Sequence, residues 1–254
     1  KVLVALGGHR PMTRQEMALK VGPWVLEHVQ VLNHSPFAAD LVTIPDDRQI
    51  IKINRNFVEA DLRIALGWIV PHTLAGFSGG AKAVIPGIGG IETLYSNHTL
   101  VFADQSESMS FKTSTCDPDN AMRKNMEENV GKVGLDFIVN VVPNADGDYA
   151  GIFAGNWISA WQAGTRLVDE IYGVGIPGQA DIVIASAGGS PRDINLYQTG
   201  KTLDNASYAV KKGGVMIVLG ECPDIMEPPE FPKWFQYPSI LELEKALRAD
   251  FTIP

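Results

Sequence analysis

Cysteine is scarce in this 254-residue chain: Cys116 and Cys222 are the only two, and no CxxC spacing exists. That argues against a disulfide scaffold and a cysteine zinc site, and it fits a reducing, cytoplasmic setting. Long apolar runs are lacking as well. No stretch nears the roughly 20 residues that a bilayer-spanning helix needs. The opening KVLVAL enters a Gly-Gly-His turn without a signal-type cleavage site. Positive charge is in deficit, with 21 basic against 29 acidic residues and a formal net charge of −8. With no lysine- or arginine-rich run to offset it, that balance argues against nucleic acid as a partner, and the lack of a long apolar run argues against a membrane. Repeats and low-complexity tracts are missing too. The chain has no initiator Met, starts at once in a strand-like run and stops just after a helical pattern, so it reads as the middle of a longer polypeptide, truncated at both ends.

What is present is apolar residue in quantity, 45% of the chain, enough to bury a real core. Residues 2–6 read as a strand, followed by Gly7-Gly8-His9-Arg10. Thr13 and Glu16 have the spacing of a capping box, and Gly22-Pro23 is placed to split the helical pattern in two. Residues 40–55 suggest strands around the turn Pro45-Asp46-Asp47, whose carboxylates are expected to be solvated. The near-continuous apolar run 62–70 predicts a strand covered on both faces and delivers His72 at its end. Further along, 99–103 reads as a strand and 117–133 as a helix capped by Asp117 or Asp119; 137–142 reads as a strand and 157–172 as a helix. The cluster Gly173, Gly175, Pro177 and Gly178 is the best internal boundary, dividing a domain 1–175 from a domain 176–254. Beyond it, strand 181–186, helix 196–210 and strand 215–219 form a βαβ unit, with a short helix over 240–248. The fold class is α/β.

Chemistry concentrates in PHTLAGFSGGAKAVIPGIGG and the histidine after it. Gly76, Gly79, Gly80, Gly87, Gly89 and Gly90 allow close backbone approach to a bound group. Lys82 is either a phosphate-binding lysine or a nucleophilic amine, and it lacks the GxxxxGK(S/T) spacing of a P-loop. His72 and His98 are candidates for acid/base work or metal ligation. His9 follows a strand, with Arg10 beside it to hold a carboxylate or phosphate. A second glycine turn, GGSPRD, precedes a helix whose first turns carry Tyr197, Gln198 and Lys201, the last two on one face. His28 and His34 flank an apolar run and read as structural; the five tryptophans read as core or interface residues.

Taken in order, GGHRP with His9, PHTLAGFSGGAKAVIPG, the H-x9-K-x15-H spacing to His98, and GGSPRD with LYQTGK resemble the nickel-pincer lactate racemase family over nearly the whole chain. The resemblance implies two α/β domains of mixed or parallel sheets flanked by helices, with the cofactor and active site in the cleft between them. It implies nickel in a nickel-pincer nucleotide, a pyridinium-3,5-bisthiocarboxylic acid mononucleotide. Lys82 would be its covalent anchor and His98 the metal ligand. His9 and His72 would be the acid/base pair, and Gly79, Gly80, Tyr197, Gln198, Lys201 and Arg10 would serve cofactor or substrate. Implied partners are a small 2-hydroxy acid and cofactor-synthesis or insertion proteins, with a homodimer as one admissible assembly. The residues alone leave two other readings open: a zinc hydrolase using His9, His72 and His98, and a non-catalytic phosphate- or nucleotide-binding module.

Overall fold

A computed structural model describes residues 1–102, 120–144, 146–190, 192–226 and 231–249. Contacts divide the chain into two units, Lys1–Ile171 and Tyr172–Pro254.

In the first unit, β1 (Val2–Val4) pairs in parallel with β2 (Val31–Asn33). Between them run α1 (Arg14–Val21) and α2 (Pro23–His28). The Thr13 hydroxyl accepts from the Glu16 amide while the Glu16 carboxylate accepts from the Thr13 amide, so the predicted capping box forms in full. Gly22 and Pro23 part the two helices as expected. An antiparallel pair, β3 (Val42–Ile44) and β4 (Ile51–Ile53), encloses the Asp46 turn. Asp46 is not solvated: its side chain is buried, bonded to Lys132 and to the amides of Arg48 and Gln49. A short helix, α3 (Arg55–Val58), follows, capped by Asn54.

The main sheet has the order β5 (Ile64–Trp68), β8 (Phe137–Pro143), β9 (Tyr149–Gly155), with β5–β8 parallel and β8–β9 antiparallel. Between β5 and β8 lie the hairpin β6 (Pro71–His72) and β7 (Gly76–Phe77), a 3-10 turn at Gly80–Ala83, and α4 (Ile91–His98). They are followed by a 3-10 turn at Thr99–Phe102 and by α5 (Ala121–Val133). The expectation for β5 fails in one respect. Ala65 is buried, but Ile64, Leu66 and Trp68 are exposed at 49%, 73% and 61%, so only one face is covered. That covered face meets Ile138, Met126, Trp161 and Val168 in the core, the last two from α6 (Ser159–Tyr172).

Residues 99–102 are helical rather than a strand, because the Thr99 hydroxyl bonds back to the Ser96 carbonyl and prolongs α4; Ala103 lies outside the described residues. Asn120 caps α5, its side chain accepting from the Arg123 amide at 2.8 Å, while Asp117, Asp119 and Cys116 lie outside the described residues. Of the tryptophans, Trp161 is in the core, whereas Trp24 and Trp68 are exposed.

The second unit holds the βαβ arrangement: β10 (Ala180–Ser186), α7 (Leu196–Ser207) and β11 (Val210–Leu219), the strands paired in parallel. A 3-10 turn at Phe231–Gln236 and α8 (Ile240–Ala249) follow. Among the described residues, no helix is long and apolar enough to cross a membrane.

Candidate active site

The segment from His72 to His98 is built by its backbone. Leaving β6, the chain turns at residues 73–75, and the amides of Leu74 and Ala75 both donate to His72 Nδ1, each at 3.2 Å. With Nδ1 accepting, the neutral ring carries its proton on Nε2. Ser78 then anchors the return: its amide donates to the Val70 carbonyl at 2.9 Å and its hydroxyl to Trp68 O at 2.8 Å.

Gly79 and Gly80 follow with φ of +75° and +56°, the left-handed region that favours glycine. A Cβ at Gly79 would lie 2.8 Å from Asn140 Oδ1 and 2.9 Å from Trp68 O; one at Gly80 would lie 2.9 Å from the Trp161 indole. Asn140, buried in β8, accepts from the Gly80 amide at 2.9 Å, and the Trp161 Nε1–H donates to Ser78 O at 2.8 Å. Lys82, half-buried, sits in the 3-10 turn so formed, its amide donating to Gly79 O at 3.2 Å.

The loop is tied onward to the His9 turn. Gly87 N donates to Lys82 O at 3.2 Å, and Gly7 N to Gly87 O at 2.9 Å. His9 is exposed in that turn, its amide donating to Leu6 O. Arg10 is engaged with Glu16, its two terminal nitrogens 2.9 and 2.6 Å from the carboxylate oxygens, which holds Glu16 down at about 2. The structure therefore places Arg10 on the α1 cap.

At the end of α4, His98 Nδ1 lies 2.9 Å from the Leu94 carbonyl. Burial is the main cause that brings its pKa down to about 4, with the Lys82 charge adding in the same direction. The ring is thus neutral near pH 7, donates through Nδ1 and keeps its lone pair on Nε2. The Lys82 charge is felt at His98, so the two lie within electrostatic reach of each other. His34 is structural, as its sequence setting suggests: it is buried, with Nε2 2.8 Å from Gly89 O and Nδ1 facing the Asn54 amide at 3.3 Å.

Among the described residues, no three His, Cys, Asp or Glu side chains gather as a metal site. His9, His72 and His98 are all described, so the three-histidine zinc centre of the hydrolase reading does not form.

In the second unit, Lys201 Nζ donates to Gln198 Oε1 at 2.7 Å across one helix face, and partial burial lowers the lysine pKa. Asn195 caps α7 by accepting from the Gln198 amide at 2.8 Å. Tyr197 packs edge-on against Phe231 at 5.4 Å, and burial raises its pKa.

Sequence reasoning missed Asn140, Trp161 and Arg123, which hold the loop. Asn140 alone left a signal, as a polar residue inside the apolar strand FIVNVVP.

Residues 1–110 match the model of the lactate racemase N-terminal domain, and residues 177–245 that of the lactate racemase C-terminal domain. The chain belongs to the lactate racemase family. The lactate racemase of Thermoanaerobacterium thermosaccharolyticum is 36% identical over 240 residues, which is 93% of this chain and 55% of that protein. The lactate racemase of Lactiplantibacillus plantarum is 34% identical over 228 residues, 88% of this chain and 52% of that one. The chain therefore spans about half the length of the curated lactate racemases it matches. The lactate racemase apoprotein structure from T. thermosaccharolyticum aligns with a TM-score of 0.87 at 33% identity, covering 99% of this chain and 61% of that one. A Thermotoga maritima protein, 22% identical with a TM-score of 0.71 and covering 98% and 66%, shares the fold.

Proposed function

We propose that the protein is an isomerase that racemises or epimerises a small 2-hydroxy acid, lactate being the substrate the family name implies. In this reading a nickel-pincer nucleotide is anchored on Lys82, with His98 as its nickel ligand. The observation that carries the reading is the state of His98. A half-buried imidazole whose Nδ1–H is spent on a backbone carbonyl has only its Nε2 lone pair to offer, the usual condition of a metal-ligating histidine. A single protein nitrogen also suits a metal whose other ligands come with an organic cofactor, and Lys82 lies within electrostatic reach. The residues fit the group.

When bound, the nucleotide would supply the hydride-transfer chemistry. The protein's own work is proton handling. The substrate hydroxyl must lose a proton as the α-carbon is oxidised to the planar 2-oxo acid, and regain one on the other face. That requires one acid/base group on each face of the substrate, and His9 and His72 are the pair. His9 stands in an exposed turn.

His72 is more constrained. To move a proton through Nε2, in either direction, an imidazole must hold a proton on Nδ1. The Leu74 and Ala75 amides point at that atom, so the ring as held donates a hydrogen bond through Nε2–H. It transfers a proton only once those amides yield. Lys201 with Gln198 offers a cation and an amide to an anionic group. Arg10 can join in anion binding only by giving up Glu16.

The test is intact-mass and metal analysis of protein produced together with the cofactor-synthesis proteins, which the reading makes its partners. One nucleotide adduct mapped to Lys82 and one nickel per chain are expected. An unmodified Lys82 under those conditions overturns the reading.

A further inference from the structure

Between His72 and Lys82 the backbone is gripped by a side chain that no motif includes. Arg123, in the first turn of α5, is 5% exposed. Its guanidinium reaches three alternate carbonyls of one strand-like segment: Ala75 O from Nε at 3.4 Å, Phe77 O from Nη2, and Gly79 O from Nη1 at 3.5 Å. Its flat face lies over the Trp161 ring, 4.2 Å from the centroid, and Trp161 in turn bonds Ser78 O. Next to it, Asn120 Nδ2 donates to Leu74 O at 2.9 Å.

The peptides chosen are the ones that matter to the two reactive side chains. Ala75 gives its amide to His72 Nδ1 and its carbonyl to Arg123. The Gly79 carbonyl accepts both from the Lys82 amide and from Arg123. A rigid planar fork with donors in fixed directions can do this; a lysine ammonium at the same place cannot reach three divergent acceptors at once. Burying a guanidinium is costly unless its donors are used, and here each of its three nitrogens donates to this segment.

We propose that Arg123 is a positioning residue of the site: one guanidinium sets both the turn that holds His72 and the bend that presents Lys82. This rests on the reading of Lys82 as anchor and His72 as a proton-handling group. It adds that their geometry is coupled through α5, so neither can be reset alone.

Two variants separate placement from folding. Arg123→Lys keeps the charge, and Arg123→Gln keeps a planar donor; Lys132→Met, on the same helix, serves as control. Two readouts are taken on protein produced with the cofactor-synthesis proteins. One is the rate at which the Lys82 adduct accumulates, by intact mass. The other is the pair of ring 15N resonances of His72, which report whether Nδ1 accepts. In both Arg123 variants adduct formation should fall roughly a hundredfold, the scale of a misplacement near 1 Å. The His72 resonances should move in the same samples, with circular dichroism unchanged.

Lys132→Met should alter neither. Variants that load Lys82 at the wild-type rate with unmoved His72 resonances overturn the proposal, as do variants that only lose thermal stability. Should wild-type protein itself show no adduct, the anchor reading fails instead. The His72 resonances then still decide the role of Arg123.

Discussion

His98 Nδ1 lies 2.9 Å from the carbonyl oxygen of Leu94, one turn earlier in α4. This contact orients the ring and selects its tautomer, leaving Nε2 as the available nitrogen. Burial keeps the ring neutral, so no proton has to leave before a metal binds. His98→Ala should therefore drop nickel to background in elemental analysis, while the Lys82 adduct remains visible by mass. Undiminished nickel in that variant would assign the metal elsewhere.

The acid/base pair makes a separate prediction. His9→Asn and His72→Asn should each lower interconversion of the two enantiomers by about 10²–10⁴-fold, the usual contribution of a positioned acid or base. Adduct and nickel content should stay at wild-type level. Chiral chromatography of the product against intact mass separates the effects. Loss of adduct in parallel with activity would mean that the histidine holds the nucleotide, not the proton.

Glycine is required at two consecutive positions for reasons of space as well as dihedral. Gly79→Ala and Gly80→Ala each force a Cβ into atoms under 3.0 Å away on a left-handed backbone. Each should cost at least about 2 kcal/mol in urea melts. Gly147 has φ of +87° but nothing within 4 Å of its would-be Cβ, so Gly147→Ala should cost only the dihedral strain, about 1 kcal/mol. Equal losses at all three sites would show that packing around Asn140 and Trp161 is not tight.

Stability should also depend on His34. Its pKa is lowered in the folded protein, burial being the larger influence, while in the unfolded chain it titrates near 6.5. Below that pH the unfolded state takes up a proton that the folded state resists. Its contribution is thus complete above about 6.5 and is lost as the pH falls toward the folded value. His34→Gln should flatten the stability profile between about pH 7.5 and 5, read from urea melts at fixed ionic strength. An unchanged slope would move that pH dependence to other groups.

Much of the first unit could be read from local pattern. The Thr13–Glu16 box and the break at Gly22-Pro23 depend on residues a few positions apart and appear where expected. The βαβ order of the second unit also holds, but its helix ends at Ser207 rather than 210 and its second strand starts at Val210 rather than 215. Local reading failed where a partner strand or a distant group decides. The strand β9, with Gly151 and Gly155 in it, carries a weak strand pattern and exists by pairing with β8. Asp46 reads as a solvated turn residue until Lys132, 86 positions away, comes to lie on it.

The candidate site divides the same way. The spacing of His72, Lys82 and His98 and the glycines between them are sequence properties, because residue type and short separation specify which chemistry is within reach. What the spacing leaves open is the state of each side chain: which nitrogen of His72 accepts, which nitrogen of His98 stays bare, and that Arg10 is committed to Glu16. Tertiary structure decided these, and it brought in Arg123, Asn140 and Trp161 from the helices and strand behind the loop. The physical reason is that, apart from the Arg10–Glu16 pair, these contacts are made to backbone carbonyls and amides. Every residue carries those groups alike, and only the folded path of the chain sets their direction.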